Sequence, residues 1–493
     1  MNLDPTLDPR EYRMELFLRS LAPPAARTAQ EAIIDRLKRL DDRGLPTGEG
    51  VFRAVLTHGT AARELAAVND HGVYRSGDGG RSWEPLVEWP AFEKLWDDLR
   101  QVATELRKTV LEGRPIRMRH HADGDGLCAS VPLQVALERF IADHYEDADA
   151  PQHLLKRLPS KAPYYEMEDV TRDLNFALEG QERHGQKLPF LLMLDNGSTE
   201  EDVPAYQNLT HYDIPIAVID HHHPDPEAVE PLLDAHVNPY LYDEDYRITT
   251  GMMCVELARM IDPDVTDDLR HVPAVAGLAD RSRAEVMEEF TALAESEGYD
   301  RTRLLDVGEA LDYAAHWLRY NDGQSLVNDV LNVGCDDEDR HRELVDFLAT
   351  RAERDVERQM DAAASHLEHE RLDSGAHLYT VDLDEYAHRF TYPAPGKTTG
   401  KLHDRQVTEH GEPVITIGYG PDFAVLRSDG VRLDIPRMVS ELNQEVVGGG
   451  VSGGGHLVVG SIKFVKGMRE DVIDSLVDKM ADAELDAELS SQA

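Results

Sequence analysis

Four short stretches concentrate the residue types that bind cations or move protons. His121-Ala122-Asp123-Gly124-Asp125-Gly126 sets one imidazole and two carboxylates at alternate positions in a glycine-rich turn. Asp195 follows the apolar run Phe190 to Leu194, and Asp220-His221-His222-His223 follows Ile216 to Ile219. Asp280 closes the apolar run Val272 to Ala279. Carboxylate and imidazole donors without a thiolate suit Mn²⁺ or Mg²⁺, with Zn²⁺ or Co²⁺ as substitutes. Carboxylates from separate strands are needed to hold two cations about 3.5–4 Å apart, an arrangement that activates water against phosphorus. Taken singly, each stretch has a plainer reading: Asp-Gly-Asp-Gly makes a turn, three histidines make a surface tract, and Asp195 caps a helix. Together, in this order and at these element ends, they are not readily put down to accident and point to one divalent-cation centre.

Short apolar strands alternating with helices must position these residues. Pro115 to Arg119 reads as a strand and Leu127 to Tyr145 as the following helix. Phe190 to Leu194 and Ile216 to Ile219 are continuous apolar strands, which implies burial on both faces of a parallel sheet. Gly251 to Met260, Val272 to Ala279 and Arg303 to Leu318 read as helices. Ligands of such α/β sheets sit at the carboxyl ends of the strands, where Asp195 and Asp220 fall.

This unit is expected over 111–340, with a mixed N-terminal region over 1–110. Within the latter, Tyr12 to Leu21 and Ala26 to Leu40 have helical periodicity. Val51 to Leu56 and Gly72 to Tyr74 are strand-like, and Phe92 to Leu111 reads as one long amphipathic helix. Ser76-Gly77-Asp78-Gly79-Gly80-Arg81-Ser82-Trp83 resembles an Asp-box hairpin turn, occurring once and read as structural. A charged helical segment is expected over 341–371, and a second, smaller α/β domain over 372–470. Its strands are read at Ala376 to Leu383, Val414 to Tyr419 and Phe423 to Leu426. An acidic helix and tail follow over 471–493.

Composition narrows the partners. Asp plus Glu number 94 against 51 Lys plus Arg, a formal charge of −43. A broad basic face for nucleic acid is thereby disfavoured. The spread of acid resembles proteins of salt-accumulating archaea, where molar salt shortens the screening length to about 3 Å. Cys128, Cys254 and Cys335 stand apart with no CxxC pair, so neither a disulfide framework nor a thiolate zinc site is indicated. With neither a long apolar span nor a signal-peptide pattern, a cytoplasmic protein without membrane association is expected.

The motifs resemble those of the DHH phosphoesterase superfamily, and within it the archaeal RecJ-like exonucleases. Asp220-His221-His222 is the name-giving motif, His121 to Gly126 matches HxDxDG, and Asp195 lies in Leu194-Asp195-Asn196-Gly197. Gly277-Leu278-Ala279-Asp280 and Asn238-Pro239 also fit, and Gly453-Gly454-Gly455-His456 is similar to the GGGH signature of the DHHA1 domain. The resemblance implies an α/β fold with a parallel-sheet DHH domain and a smaller DHHA1-type domain. It implies two Mn²⁺ ions, with Mg²⁺ or Co²⁺ as substitutes. His121, Asp123 and Asp195 would hold one, and Asp125, Asp195, His221 and Asp280 the other. Asp195, His221 and His222 would be catalytic, with His222 beside the scissile phosphate. Gly453, Gly454, Gly455, His456 and Arg427 would bind substrate. The implied reaction is hydrolysis of single-stranded DNA or RNA from a 5′ end, with replication or repair proteins as partners. A phosphodiesterase for short oligonucleotides or cyclic dinucleotides stays open, as does a catalytically silent replication-associated scaffold.

Overall fold

The computed structural model of the 493-residue chain describes the strands at 53–55, 65–69 and 72–76. It also describes residues 85–489 apart from 161, 163, 319, 320, 322, 336, 412, 482, 487 and 488. The helices expected at Tyr12 to Leu21 and Ala26 to Leu40 lie outside the described residues, as does the Asp-box beyond Ser76. β1 (Arg53–Val55), β2 (Leu65–Asn69) and β3 (Gly72–Ser76) form an antiparallel sheet; β2 was not anticipated. The helix expected from Phe92 is interrupted: a turn over Pro90–Glu93 precedes α1 (Trp96–Leu111), counting helices of eight residues or more.

The central unit is a five-stranded parallel sheet of β4 (Ile116–His121), β5 (Leu155–Ser160), β6 (Phe190–Leu194), β7 (Ile216–Ile219) and β8 (Ala235–Val237). Their order is β5-β4-β6-β7-β8. Its helices are α2 (Gly124–His144), α3 (Met167–His184), α4 (Val203–Thr210), α5 (Thr250–Ile261) and α6 (Val272–Ala279). They are followed by α7 (Met287–Ser296), α8 (Arg301–Leu318) and α9 (Gln324–Leu331). β6 explains its own unbroken apolar sequence. Phe190, Leu192 and Leu194 enter one core with α1, α2, α5 and α6, while Leu191 and Met193 enter a second core with Tyr165 and Tyr206. A strand covered on both faces has no polar side to show. β4 also carries a fully buried cation: Arg119 donates to both oxygens of Asp173 at 2.8 and 2.9 Å and to Asp169 at 3.0 Å, pinning α3 to the sheet.

The chain runs from β4 to β5 on one side and returns to β6 on the other, so strand order reverses between β4 and β6. A crevice outside the carboxyl ends of the strands opens at such a reversal. His121 and Asp195 flank it.

The long helix α10 (Glu338–Ala363) leads to the second sheet. The helical reading through Arg371 is corrected here: the helix stops at Ala363, and Glu368–Arg371 is strand β9, antiparallel to β10 (His377–Asp382). Alternation of charged residues with histidine in Glu-His-Glu-Arg leaves all four residues of this edge strand exposed, so no apolar stripe announced it. α11 (Pro395–His410) crosses to β11 (Val414–Tyr419), parallel to β10, and β12 (Phe423–Asp429) runs antiparallel beside β11. α12 (Ile435–Glu445) and the hairpin β13 (Ser452–His456) and β14 (Val459–Lys463) complete a six-stranded mixed sheet, followed by α13 (Arg469–Ala481).

The two sheet units meet around the crevice. Arg281 makes a bidentate pair with Asp404 at 2.8 and 2.9 Å, and Lys397 reaches Asp312 at 2.7 Å and Glu309 at 2.8 Å. On the opposite flank, Lys463 hydrogen-bonds the Tyr164 hydroxyl.

Candidate metal centre

The loop after β4 is tighter than a free turn. Asp123 adopts extended backbone and accepts from the Gly126 amide at 2.9 Å, capping α2, whose first residues are Gly124, Asp125 and Gly126. A side chain at Gly126 would lie 2.2 Å from the His121 carbonyl oxygen, so the chain can fold back on β4 only with glycine there. The Gly124 amide donates to Asp312 of α8 at 2.7 Å, fixing the loop from outside.

Asp125 turns inward, where the α5 N-terminus receives it. The amides of Thr250 and Gly251 donate to its two oxygens at 2.9 and 3.0 Å. Thr250 Oγ1 donates to Asp195 Oδ1 at 3.2 Å. A side chain at Gly251 would meet Asp125 Oδ1 at 2.8 Å and Ala276 at 2.6 Å. Thr250 and Gly251 escaped the sequence reading because an apolar helix start carries no ligand signature.

Asp195 ends β6 with φ +60°, a left-handed conformation costly for a non-glycine residue and frequent at functional sites. Its Oδ2 is buried without a hydrogen-bond partner among the described residues. His121 Nδ1 is likewise buried and unpartnered, 3.5 Å from Asp195 Oδ2 and 2.7 Å from Asp123 Oδ2 but out of line for a hydrogen bond.

After β7 the histidines are fixed by what their rings contact. His221 Nδ1 donates to the Tyr246 carbonyl at 2.9 Å, which leaves Nε2 with its lone pair toward the crevice. That Nε2 lies 3.4 Å from Asp195, 3.5 Å from Asp280 and 3.9 Å from Asp125. His222 Nδ1 is 2.8 Å from Asp220 Oδ1, and Asn238 holds the His222 carbonyl at 2.9 Å. Asp220 therefore orients His222, and also accepts the His221 amide at 2.8 Å. His223 leaves this group and packs its ring against Tyr240.

These residues suit cations. His121, Asp123 and Asp195 offer ligand atoms all within 4.8 Å of one another, and so do Asp195, His221 and His222, with Asp195 common to both groups. Burial together with Asp123 and Asp125 pushes the Asp195 carboxyl well above its usual range, and burial aided by Asp280 and Asp123 carries Asp125 to about 6. Crowded carboxylates and imidazole nitrogens, buried and facing each other, make a donor set that a divalent cation satisfies.

The second unit contributes Arg427 from β12. Burial and the adjacent Arg281 lower its guanidinium to about 10, while Asp280 and Asp404 act the other way. Its Nε is buried without a partner. Gly453, Gly454 and Gly455 form the edge strand β13 and not a loop. Side chains at Gly453 and Gly455 would strike the β14 backbone at 2.3 and 2.2 Å, whereas Gly454 faces open space. The side chain of His456 is outside the described set.

A helix-turn-helix domain model matches residues 6–45. The chain is 41% identical over 439 residues to an uncharacterized protein of Methanocaldococcus jannaschii, covering 84% of this chain and 58% of that protein. It thus spans a little over half the length of that curated relative. Among solved structures, RecJ from Thermus thermophilus in complex with Mn²⁺ is similar at TM-score 0.55 and 16% identity, covering 80% of this chain and 56% of that one. Exonuclease RecJ bound to manganese gives TM-score 0.52 and 16% identity, with coverage of 81% and 96%. At that identity the likeness is one of fold. The DHH domain of a member of a family of ribosomal proteins matches at TM-score 0.77 and 36% identity, covering 82% of this chain and 94% of that domain. Related at this level along nearly the whole of that domain, the chain belongs to the DHH-domain family.

Proposed function

We propose that the protein hydrolyses phosphodiester bonds in single-stranded nucleic acid, releasing nucleotides from a 5′ end in the manner of RecJ. The observation that carries this reading is the buried Asp195 carboxylate shared by two groups of ligand atoms at the sheet's reversal point. His121, Asp123 and Asp195 would hold one Mn²⁺, and Asp125, Asp195, His221 and Asp280 the other, with Mg²⁺ or Co²⁺ as substitutes. Bound there, divalent cations supply a water of lowered pKa and neutralise charge on the phosphoryl oxygens.

The chain's own residues do the rest. Thr250 and the α5 amides hold Asp195 and Asp125 in place before substrate arrives, so little reorganisation accompanies the reaction. Tyr246 fixes the ring of His221, and Asp220 fixes that of His222, which reaches the scissile phosphate. Arg427 supplies a cation from the opposite wall for a substrate phosphate. The outer edge of β13 is unpaired within its sheet, so backbone amides of the glycine strand complete that wall. The residues matching the helix-turn-helix model add a further contact for nucleic acid. Replication or repair proteins remain the proposed partners.

Specific observations favour a second reading, a phosphodiesterase for short oligonucleotides or cyclic dinucleotides. Lys463–Tyr164 and Arg281–Asp404 bridge the units on both flanks, which would favour a small substrate.

One assay separates these. Oligonucleotides of two to thirty residues, labelled at the 5′ or 3′ end, are incubated with Mn²⁺, with excess chelator, and with Asp195→Asn. A ladder from the 5′ end that vanishes with chelator and falls at least about 10³-fold in the variant is expected. Cleavage of only the shortest substrates selects the second reading. Unchanged hydrolysis by Asp195→Asn rejects both.

A further inference from the structure

Among the described residues the exposed aromatic side chains are Phe176, Tyr212, Trp317, Phe347 and Phe390, of which Trp317 on α8, Phe347 on α10 and Phe390 in the loop held by α10 are 48%, 53% and 82% exposed. Phe347, Arg351, Arg354 and Arg358 follow one another on α10 at intervals of four, three and four, so they form one stripe about 16 Å long. Arg351 lies over the Phe347 ring at 4.8 Å and Arg389 over the Phe390 ring at 5.6 Å. Arg351 and Arg358 make no ion pair among the described residues.

The loop carrying Phe390 is fastened to the stripe. Gln359 accepts from the His388 amide at 2.8 Å and donates to its carbonyl at 3.2 Å. An open groove of about 510 Å³ runs between them, lined by Arg354, Glu357, Arg358, Asp361, Ala362 and His388. Trp317 packs edge-on to Tyr313, whose hydroxyl donates to Asp355 of α10 at 3.0 Å. Tyr313 adjoins Asp312, the residue that receives the Gly124 amide of the metal loop. From Asp312 to Trp317, α8 rises only about 7.5 Å.

We propose that this face is a track for single-stranded nucleic acid leaving the metal centre. The inference rests on the phosphodiesterase reading above and names where the uncleaved strand lies. A pattern of exposed rings backed by guanidinium groups offers stacking surfaces to bases and cations to the phosphates between them. Of the four arginines, Arg351 and Arg358 make no ion pair among the described residues, whereas Arg389 is paired with Asp384. Arg354 is paired with Asp355, and Glu357 and Asp361 share the rim, so phosphate attraction alone is weak. Binding therefore leans on stacking, which only unpaired bases offer. A duplex, with its bases already stacked inside, does not fit.

The test measures binding apart from chemistry. Fluorescence anisotropy of a labelled 20-nucleotide strand is recorded in EDTA, alongside Mn²⁺-dependent hydrolysis of a dinucleotide. Phe347→Ala combined with Phe390→Ala, and Arg351→Glu combined with Arg358→Glu, are compared with Phe176→Ala combined with Tyr212→Ala. Melting temperatures verify that all three fold. Each track variant is expected to weaken binding of the 20-mer about tenfold or more while dinucleotide hydrolysis stays within about twofold, and the control pair changes neither. Wild-type affinity in both track variants, or equal affinity for a duplex of the same length, overturns the proposal and leaves the stripe to a protein partner. Absence of hydrolysis in the wild-type chain strikes the reaction only, because the anisotropy result stands on its own.

Discussion

Asp195 and Arg427 are both buried atoms short of partners, one acidic and one basic, on facing walls of one crevice. Arg427 is the sharper test of the proposed substrate contact, since it makes no ion pair among the described residues. Lysine keeps the charge but loses the planar fork that matches a phosphate. Arg427→Lys is expected to raise KM about tenfold with kcat within about threefold. Arg427→Gln should cost about 10²-fold in kcat/KM, with melting temperatures unchanged for both. A fall in kcat alone, at constant KM, would remove Arg427 from ground-state phosphate binding. At this scale much of the candidate centre was legible, because His121, Asp123, Asp195, His221 and His222, which the fold brings together, are donors at element ends. Their supports were not. Thr250, Asp312 and Tyr246 act through a hydroxyl, a carboxylate on another helix and a main-chain carbonyl, and nothing in their local sequence distinguishes them.

Elements were readable in proportion to their apolar pattern. β6, β7 and α6 fall where expected because both faces are buried, whereas β5, with Lys156, Arg157 and Pro159, and the glycine strand β13 carry no such stripe. α6 shows how an element positions a candidate ligand: Asp280 caps its C-terminal end and His271 its N-terminal end, and His271 Nε2 donates to the Leu331 carbonyl at 2.7 Å. The ring stacks on Tyr299 at 4.5 Å. Burial holds the His271 imidazole down at about 4, against the opposing pull of that hydrogen bond. The unfolded chain, near 6.5, binds the proton first as pH falls. Stability from this site is thus complete above about pH 6.5 and lost as pH drops toward 4, on the order of 3 kcal/mol across the window. Urea midpoints measured from pH 7 to 4.5 should fall with pH in the wild type and fall less steeply in His271→Gln. Identical slopes would show that this histidine is not what senses acid.

For the whole molecule, the question is how two acidic units stay docked at a formal charge of −43. The contacts that join them are few and mixed. Lys397 is enclosed by Asp312, Glu309 and the Tyr392 ring, while Arg281 and Asp404 are 54% and 44% exposed. Exposed pairs of the latter kind contribute about 0–1 kcal/mol and weaken in salt. Repulsion among uncompensated carboxylates is spread over the entire surface and is also screened, as the Debye length shrinks from about 10 Å at 0.1 M to about 3 Å at 1 M. Relief of repulsion involves many more charges than the loss of one or two surface pairs, so salt should stabilise on balance. Raising KCl from 0.1 to 1 M is expected to lift the melting temperature by at least about 5 °C. Sucrose at equal osmolality separates screening from general solute exclusion. A melting temperature that is flat or falls in KCl would mean that the acid is already balanced locally, pair by pair, and that the interface cations carry the docking.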